Sequence, residues 1–365
     1  MRFEIEQRIL HFKHPAGTSR GVYLTRKIWL IHLYDGERHG VGECAPLPDL
    51  SCDAMGDDIY MAKLHKFCET FCLTGEIDYE AMRDYPSMLF GLETALLDVR
   101  GKREDVRGKK EDVRGKREEG RCVLFDNAFS RGEVGIPING LVWMGNYEEM
   151  LQRMEEKLEL GFRCVKLKIG AIDFEKEFDL VKKIRERFSH HEVELRLDAN
   201  GGFTYEEALY KLELLSQYNI HSIEQPIKQG QWAYMAELCR ESPLPIALDE
   251  ELIGMNDPEI KRHMLEIIKP RYIILKPSLH GGMMGCREWI STAKDLGIGS
   301  WITSALESNI GLNAIAQFAA DVYGDNITMP QGLGTGQLFT DNIDMPLEIR
   351  GDMLFLDKKN MMSFR

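Results

Sequence analysis

The chain contains no run of eighteen apolar residues, so no segment reads as a helix that crosses a membrane. Its first residues, MRFEIEQRIL, lack a basic stretch followed by an apolar one, so no secretory leader is expected. Eight cysteines are scattered without a CxxC pair. They read as free thiols in a reducing cytosol. Excess positive charge is missing too: 46 Lys+Arg against 59 Asp+Glu leave a net charge of -13. That balance excludes general affinity for nucleic acid or acidic membrane. A small anionic substrate is still allowed, since a bound metal and lysines reverse the sign locally.

What remains is a chain of 365 residues, 44% of them hydrophobic, long enough for one barrel domain and a smaller partner. Residues 1–130 read as an α+β unit. Phe3, Ile5 and Ile9 suggest a half-buried strand, Lys27–Leu33 and Val41–Glu43 a strand pair, and Ala54–Cys72 and Ser87–Val99 two helices. Three near-copies follow: VRGKRED (99–105), VRGKKED (106–112) and VRGKREE (113–119). Each carries a single apolar residue, so no coiled-coil seam forms. The insert at 101–121 reads as a solvated duplication rather than a nucleic-acid patch. From 131 to 345 the texture alternates between short apolar runs and amphipathic helices. The runs lie at 136–142, 164–169, 193–198, 220–224, 245–249, 272–276 and 299–303, with a weaker one near 327–333. This is the pattern of a (β/α)7β TIM-like barrel with an N-terminal α+β capping domain. The tail, 346–365, is expected to pack back on the capping domain.

Lys168, Asp198, Glu224, Asp249 and Lys276 each fall at the C-terminal end of a predicted strand, one per repeat. In a barrel those ends share one mouth, where active sites of this fold lie. Ionisable groups there cost several kcal/mol each to bury unless compensated, on the order given for isolated buried charges. Three carboxylates on adjacent strands suit a hard divalent cation such as Mg²⁺. A lysine beside a metal and a second cation is expected to have its pKa lowered, and so to act as a base near neutrality.

At these residues the sequence resembles the enolase superfamily, and within it the muconate-lactonising-enzyme subgroup. The resemblance is carried by VKLKIG at Lys166–Lys168, LRLDANGGF around Asp198, IEQP around Glu224, ALDEE around Asp249 and LKPSLHGG around Lys276. It implies Asp198, Glu224 and Asp249 as metal ligands, with Mn²⁺ as an alternative to Mg²⁺, and Lys168 and Lys276 as catalytic lysines, with Lys166 tuning its neighbour. GECAPLPDLS (42–51), INGLVWMG (138–145) and SALESNIGLNAIAQFAA (304–320) are similar to segments of the o-succinylbenzoate synthase family. The resemblance implies a dehydration: Lys168 removes the proton alpha to a carboxylate and returns it to the departing hydroxyl, while Lys276 stays cationic on the opposite face. It also implies Arg196, Ser308 and Asn309 as substrate contacts.

Other readings stay open. Glu250 or Glu251 could replace Asp249 as ligand, and Asn200 reads first as a turn residue before Gly201 and Gly202. His221 and His280 read as structural, GLGTG (332–336) as a tight loop at the barrel mouth, and Glu307, Ser308 and Asn309 as caps of the following helix or as ligand contacts. The same lysines on two faces would also serve a racemase of N-acylated amino acids or a dipeptide epimerase, although the Asp-x-Asp of dipeptide epimerases is absent near the last strand. A metal-holding binding protein is the rival outside enzymes. The expected partner is a small-molecule carboxylate; the sequence carries no signal for oligomeric state.

Overall fold

The computed structural model describes residues 1–18, 21–107, 123–143, 145–170 and 173–357. The first unit opens with three antiparallel strands in the order β1-β2-β3, Arg2–Thr18, Gly21–Asp35 and Arg38–Cys44. Helices α1 (Asp57–Thr74), α2 (Tyr79–Met82) and α3 (Pro86–Arg107) follow. The α3 helix packs on β3 so closely that a Cβ on Gly42 would stand 1.8 Å from the Gly91 carbonyl oxygen. Trp29 of β2 stacks on Tyr60 of α1 at 4.3 Å, beneath Ile31, Leu33, Leu92 and Val99.

One detail of the expected alternation fails. Phe3 and Ile5 pack toward the helices, but Ile9 is 51% exposed and Leu10 is the buried residue. The strand is 17 residues long and is covered on different faces along its length. The helices cover its start, whereas Leu338 and Phe339 cover Leu10 and Phe12 from the other side. The first of the three charged near-copies and the start of the second, to Arg107, lie within α3; residues 108–121 of the insert lie outside the described residues.

The barrel follows: β4 (Ile136–Pro137), β5 (Gly140–Val142), α4 (Tyr147–Glu159), β6 (Cys164–Lys168), α5 (Phe174–Arg187), β7 (Glu194–Asp198), α6 (Tyr205–Ser216), β8 (Ser222–Glu224), α7 (Trp232–Glu241) and β9 (Ile246–Leu248). After a 3-10 turn at Glu250–Leu252 come α8 (Pro258–Ile268), β10 (Tyr272–Leu275), α9 (Gly282–Asp295), β11 (Gly299–Ile302) and α10 (Asn309–Tyr323). Local chemistry starts the helices where the sequence offers caps. Asp257 accepts from the amides of Glu259 and Ile260 with Pro258 as first helical residue, and Glu207 reaches back to the Thr204 amide. The seven strands β5–β11 form one parallel sheet in sequential order. Single bridges Ile138↔Gln331 and Thr303↔Gly332 join its two edges through the weak run near 327–333 and close the barrel.

Two boundaries differ from the expectation. Leu124 and Phe129 belong to the barrel core, and the Leu124 amide donates to Gln317 of α10, so the barrel unit begins before residue 131. In the tail, β12 (Leu347–Arg350) and β13 (Met353–Leu356) form a hairpin that pairs with β4, not with the capping domain. Leu354 and Leu356 bury their side chains in the barrel core, which rewards that docking. The preceding segment reaches the first unit instead: Leu338 and Thr340 exchange backbone hydrogen bonds with Lys13 and His11.

Candidate active site

The barrel register assembles the site. Lys168, Asp198 and Glu224 are level across β6, β7 and β8, as successive backbone partners. Asp249 follows the last residue of β9, and Lys276 the last of β10. All five expected residues converge. Lys166 Nζ lies 2.9 Å from Asp198 and 2.5 Å from Glu224. Lys168 Nζ lies 3.0 Å from Asp198 and donates to Asn200 Oδ1 at 2.7 Å. Lys276 Nζ pairs with Asp249 from the far side.

The charges follow from these contacts. Burial works to raise Asp198, yet Lys166 and Lys168 outweigh it and hold the carboxyl well below the usual range. Asp249 is likewise brought down, to about 2, against its burial, with Lys276 opposing that burial most strongly. Glu224 goes the other way: burial and the neighbouring charge of Asp198 push it well up. Burial presses Lys166 and Lys276 down, but the surrounding carboxylates more than reverse it and hold both above the ordinary lysine value.

Among the described residues no three acidic, His or Cys side chains are already gathered around one point as ligands. Lysine ammonium groups stand between the carboxylates instead. The donor set still fits a divalent cation. Glu224 Oε1 and Asp249 Oδ1 are buried carboxylate oxygens without a hydrogen-bond partner, and an orphaned buried acceptor is costly. An all-oxygen set from three neighbouring strands, crowded enough to raise Glu224, is what Mg²⁺ or Mn²⁺ takes.

The cleft above these groups has a volume of about 850 Å³, counting the part open to solvent. Its floor is Lys166, Lys168, Asp198 and Lys276; Leu47 and Leu50 of the capping domain and Trp143 and Leu306 of the barrel wall it with apolar surface. GECAPLPDLS, INGLVWMG and GLGTG all send residues to this lining. Tyr23 was missed; its hydroxyl donates to Asp49 at 3.1 Å, and no local pattern sets it apart from any other strand tyrosine.

Three expected substrate contacts sit elsewhere. Arg196 is 2% exposed, one layer deeper in the barrel than Asp198, with its guanidinium over Trp301 and bonded to Glu194 and the Pro330 carbonyl. Ser308 is fully buried: its amide and hydroxyl both donate to Glu43 of β3, and its Oγ caps α10. Asn309 starts that helix, its amide held by Asn342, and is not part of the lining. Conversely Asn200 is more than a turn residue. At φ 45 it turns the chain and joins Lys168 to Glu250 across the floor. Glu251 faces away and holds Gln225 and the Gly230 amide. His280 is buried, accepts the Lys276 amide at Nδ1 and is pushed down to about 3 by burial, so it stays neutral. His221 stacks on Tyr272 away from the cleft, as a structural residue does.

Against known proteins, the enolase C-terminal domain-like family matches residues 149–356, and the family described as MenC, N-terminal domain matches residues 19–99. The chain is 43% identical to the o-succinylbenzoate synthase of Desulfotalea psychrophila, over 94% of this chain and 96% of that one. The crystal structure of MenC from that organism superposes with a TM-score of 0.76 at 40% identity, covering 97% of this chain and 99% of the other. The L-Ala-D/L-Glu epimerase of Bacillus subtilis shares the fold at TM-score 0.77 with 21% identity, covering 98% of this chain and 96% of that one.

Proposed function

Because the chain belongs to the o-succinylbenzoate synthase family of the enolase superfamily, we propose that it removes water from 2-succinyl-6-hydroxy-2,4-cyclohexadiene-1-carboxylate to give 2-succinylbenzoate in menaquinone biosynthesis. The observation that carries this reading is the convergence of Lys168 and Lys276 on one carboxylate cluster from strands on opposite sides of it. Asp198, Glu224 and Asp249 would hold Mg²⁺ or Mn²⁺, which when bound would supply positive charge beside the substrate carboxylate. Lys168, in its neutral form, takes the proton from the carbon bearing that carboxylate, and the C–H electron pair passes into the enediolate. Collapse of the enediolate breaks the neighbouring C–O bond. The hydroxide leaves with the proton from Lys168 as water, and the ring becomes aromatic. Lys276 stays cationic and faces the ring charge. Lys166, bonded to two of the ligands, fixes their orientation. Seven described cysteines are free thiols, which supports a place in the reducing cytosol.

The two-sided lysines favour a second reading as well, a racemase of N-acylated amino acids. Turnover separates the two. Purified protein given Mg²⁺ is expected to aromatise the cyclohexadiene, read from the rise in ultraviolet absorbance, and to lose that activity with EDTA. Racemisation of N-succinyl amino acids in D₂O with the cyclohexadiene untouched would overturn the first reading.

A further inference from the structure

We propose that Arg26 is a positioning residue that clamps the capping loop 45–50 to the barrel loop 303–306 and so sets the apolar wall that receives the non-reacting part of the substrate. The inference rests on the function proposed above for the identity of that substrate. Arg26 comes from β2 and is 3% exposed. It donates to the carbonyls of Ala45 and Pro46 on one side, and to those of Ala305 (3.3 Å) and Leu306 (3.1 Å) on the other. Both segments line the cleft: the first through Leu47 and Leu50, the second through Thr303, Ser304, Ala305 and Leu306. The planar fork of a guanidinium can serve four acceptors on two segments at once, and an ammonium cannot.

The barrel side of this clamp carries backbone strain. Leu306 has φ 65, a left-handed conformation that a branched side chain holds only where its surroundings impose it. Its carbonyl is taken by Arg26, and the next residue, Glu307, is buried with its carboxylate on the Ala305 amide and on Ser278. Burial acts against the Arg26 charge, and Glu307 and Glu43 pull the other way. The strained turn therefore presents the Leu306 side chain beside Leu47 and Ala305, and the groups that hold it there lie outside the reacting cluster.

The experiment begins by measuring turnover of the cyclohexadiene by the wild type with Mg²⁺. Inactivity there would sink the functional reading and leave the clamp untouched, because its second readout needs no substrate. In Arg26→Lys, KM is expected to rise at least tenfold with kcat within threefold. Hydrogen exchange is expected to quicken together in 45–51 and 303–308, with β6–β8 unchanged. The loop amides of Leu47 and Ser51, bonded to Ser51 Oγ and the Leu47 carbonyl, report the capping side. Glu307→Gln supplies a second variant should the first fail to fold. It removes the charge near Arg26, and the proposal expects faster exchange in 45–51, where Glu307 has no hydrogen bond. An unchanged KM in folded Arg26→Lys, or exchange in Glu307→Gln that quickens only at 303–308, would overturn the clamp.

Discussion

Replacing Glu93 with glutamine is expected to flatten the pH dependence of stability. Glu93 lies on α3 of the capping domain, 5% exposed, and accepts the amides of Met283 (2.6 Å) and Met284 (3.0 Å), the first turn of α9 in the barrel. The helix itself offers only Gly281 as N-cap, so the acid comes from the other domain. Burial raises the Glu93 carboxyl from 4.5 to about 7, more than its two amide bonds lower it. The native state thus binds this proton more tightly than the unfolded chain. The contribution is fully present below pH 4.5 and is lost as pH rises through about 7. One pKa unit corresponds to about 1.4 kcal/mol, so the loss across that window is on the order of 3 kcal/mol. Glutamine keeps one acceptor oxygen and does not titrate, at a cost of about 1 kcal/mol for a weakened hydrogen bond. Urea denaturation from pH 4.5 to 8 should therefore show the wild type ahead at the acid end and its lead falling by on the order of 3 kcal/mol toward the alkaline end. Glu43 and Asp53, raised by burial to about 7 and about 6, steepen both profiles alike and cancel in the difference. Parallel profiles for the two proteins would refute the reasoning.

Three further outcomes follow from the geometry. Lys168→Ala should lower kcat by roughly 10²–10⁴-fold, the range for a lost general base, while Mg²⁺ titration by calorimetry stays near wild type. Lys276→Met should lower kcat without abolishing turnover, and Lys276→Arg should recover part of it, because this side chain acts as a charge; equal loss in both would assign it a proton instead. Gly42→Ala should destabilise the capping domain by about 3 kcal/mol or more, since a methyl group there meets the Gly91 carbonyl at 1.8 Å, and an unaltered melting temperature would contradict that contact.

Much of the barrel was legible because its signal repeats. Five successive apolar runs carried a charged residue at or near their end, and Lys168, Asp198, Glu224, Asp249 and Lys276 needed only the common strand direction to meet. The eighth stave was faint for a physical reason: it contributes one bridge on each side, at Gln331 and Gly332, so only a residue or two had to obey strand patterning. Ile9 was misplaced because a long strand changes which face is covered along its length, and periodicity alone cannot say where that happens.

The misplaced substrate contacts share a different cause. Ser308 was expected as a ligand contact because its segment, 304–320, resembles one that meets substrate in the family, yet the acceptor that claims it, Glu43, is 265 residues away in the capping domain. Glu43 and Glu93 do the same work on successive helices, each supplying from outside the barrel the carboxylate that the first turn of α10 or α9 lacks. Arg26 closes the same interface around the cleft. A single sequence marks none of these as paired, since the pairing is made by docking and not by any repeat or local motif. The reacting groups are therefore written in the barrel repeat, and the shape of the cleft above them is written in contacts between the two units. That division predicts where substitutions act: changes at the strand ends remove chemistry, and changes at Arg26, Glu43 or Glu307 alter which molecule fits.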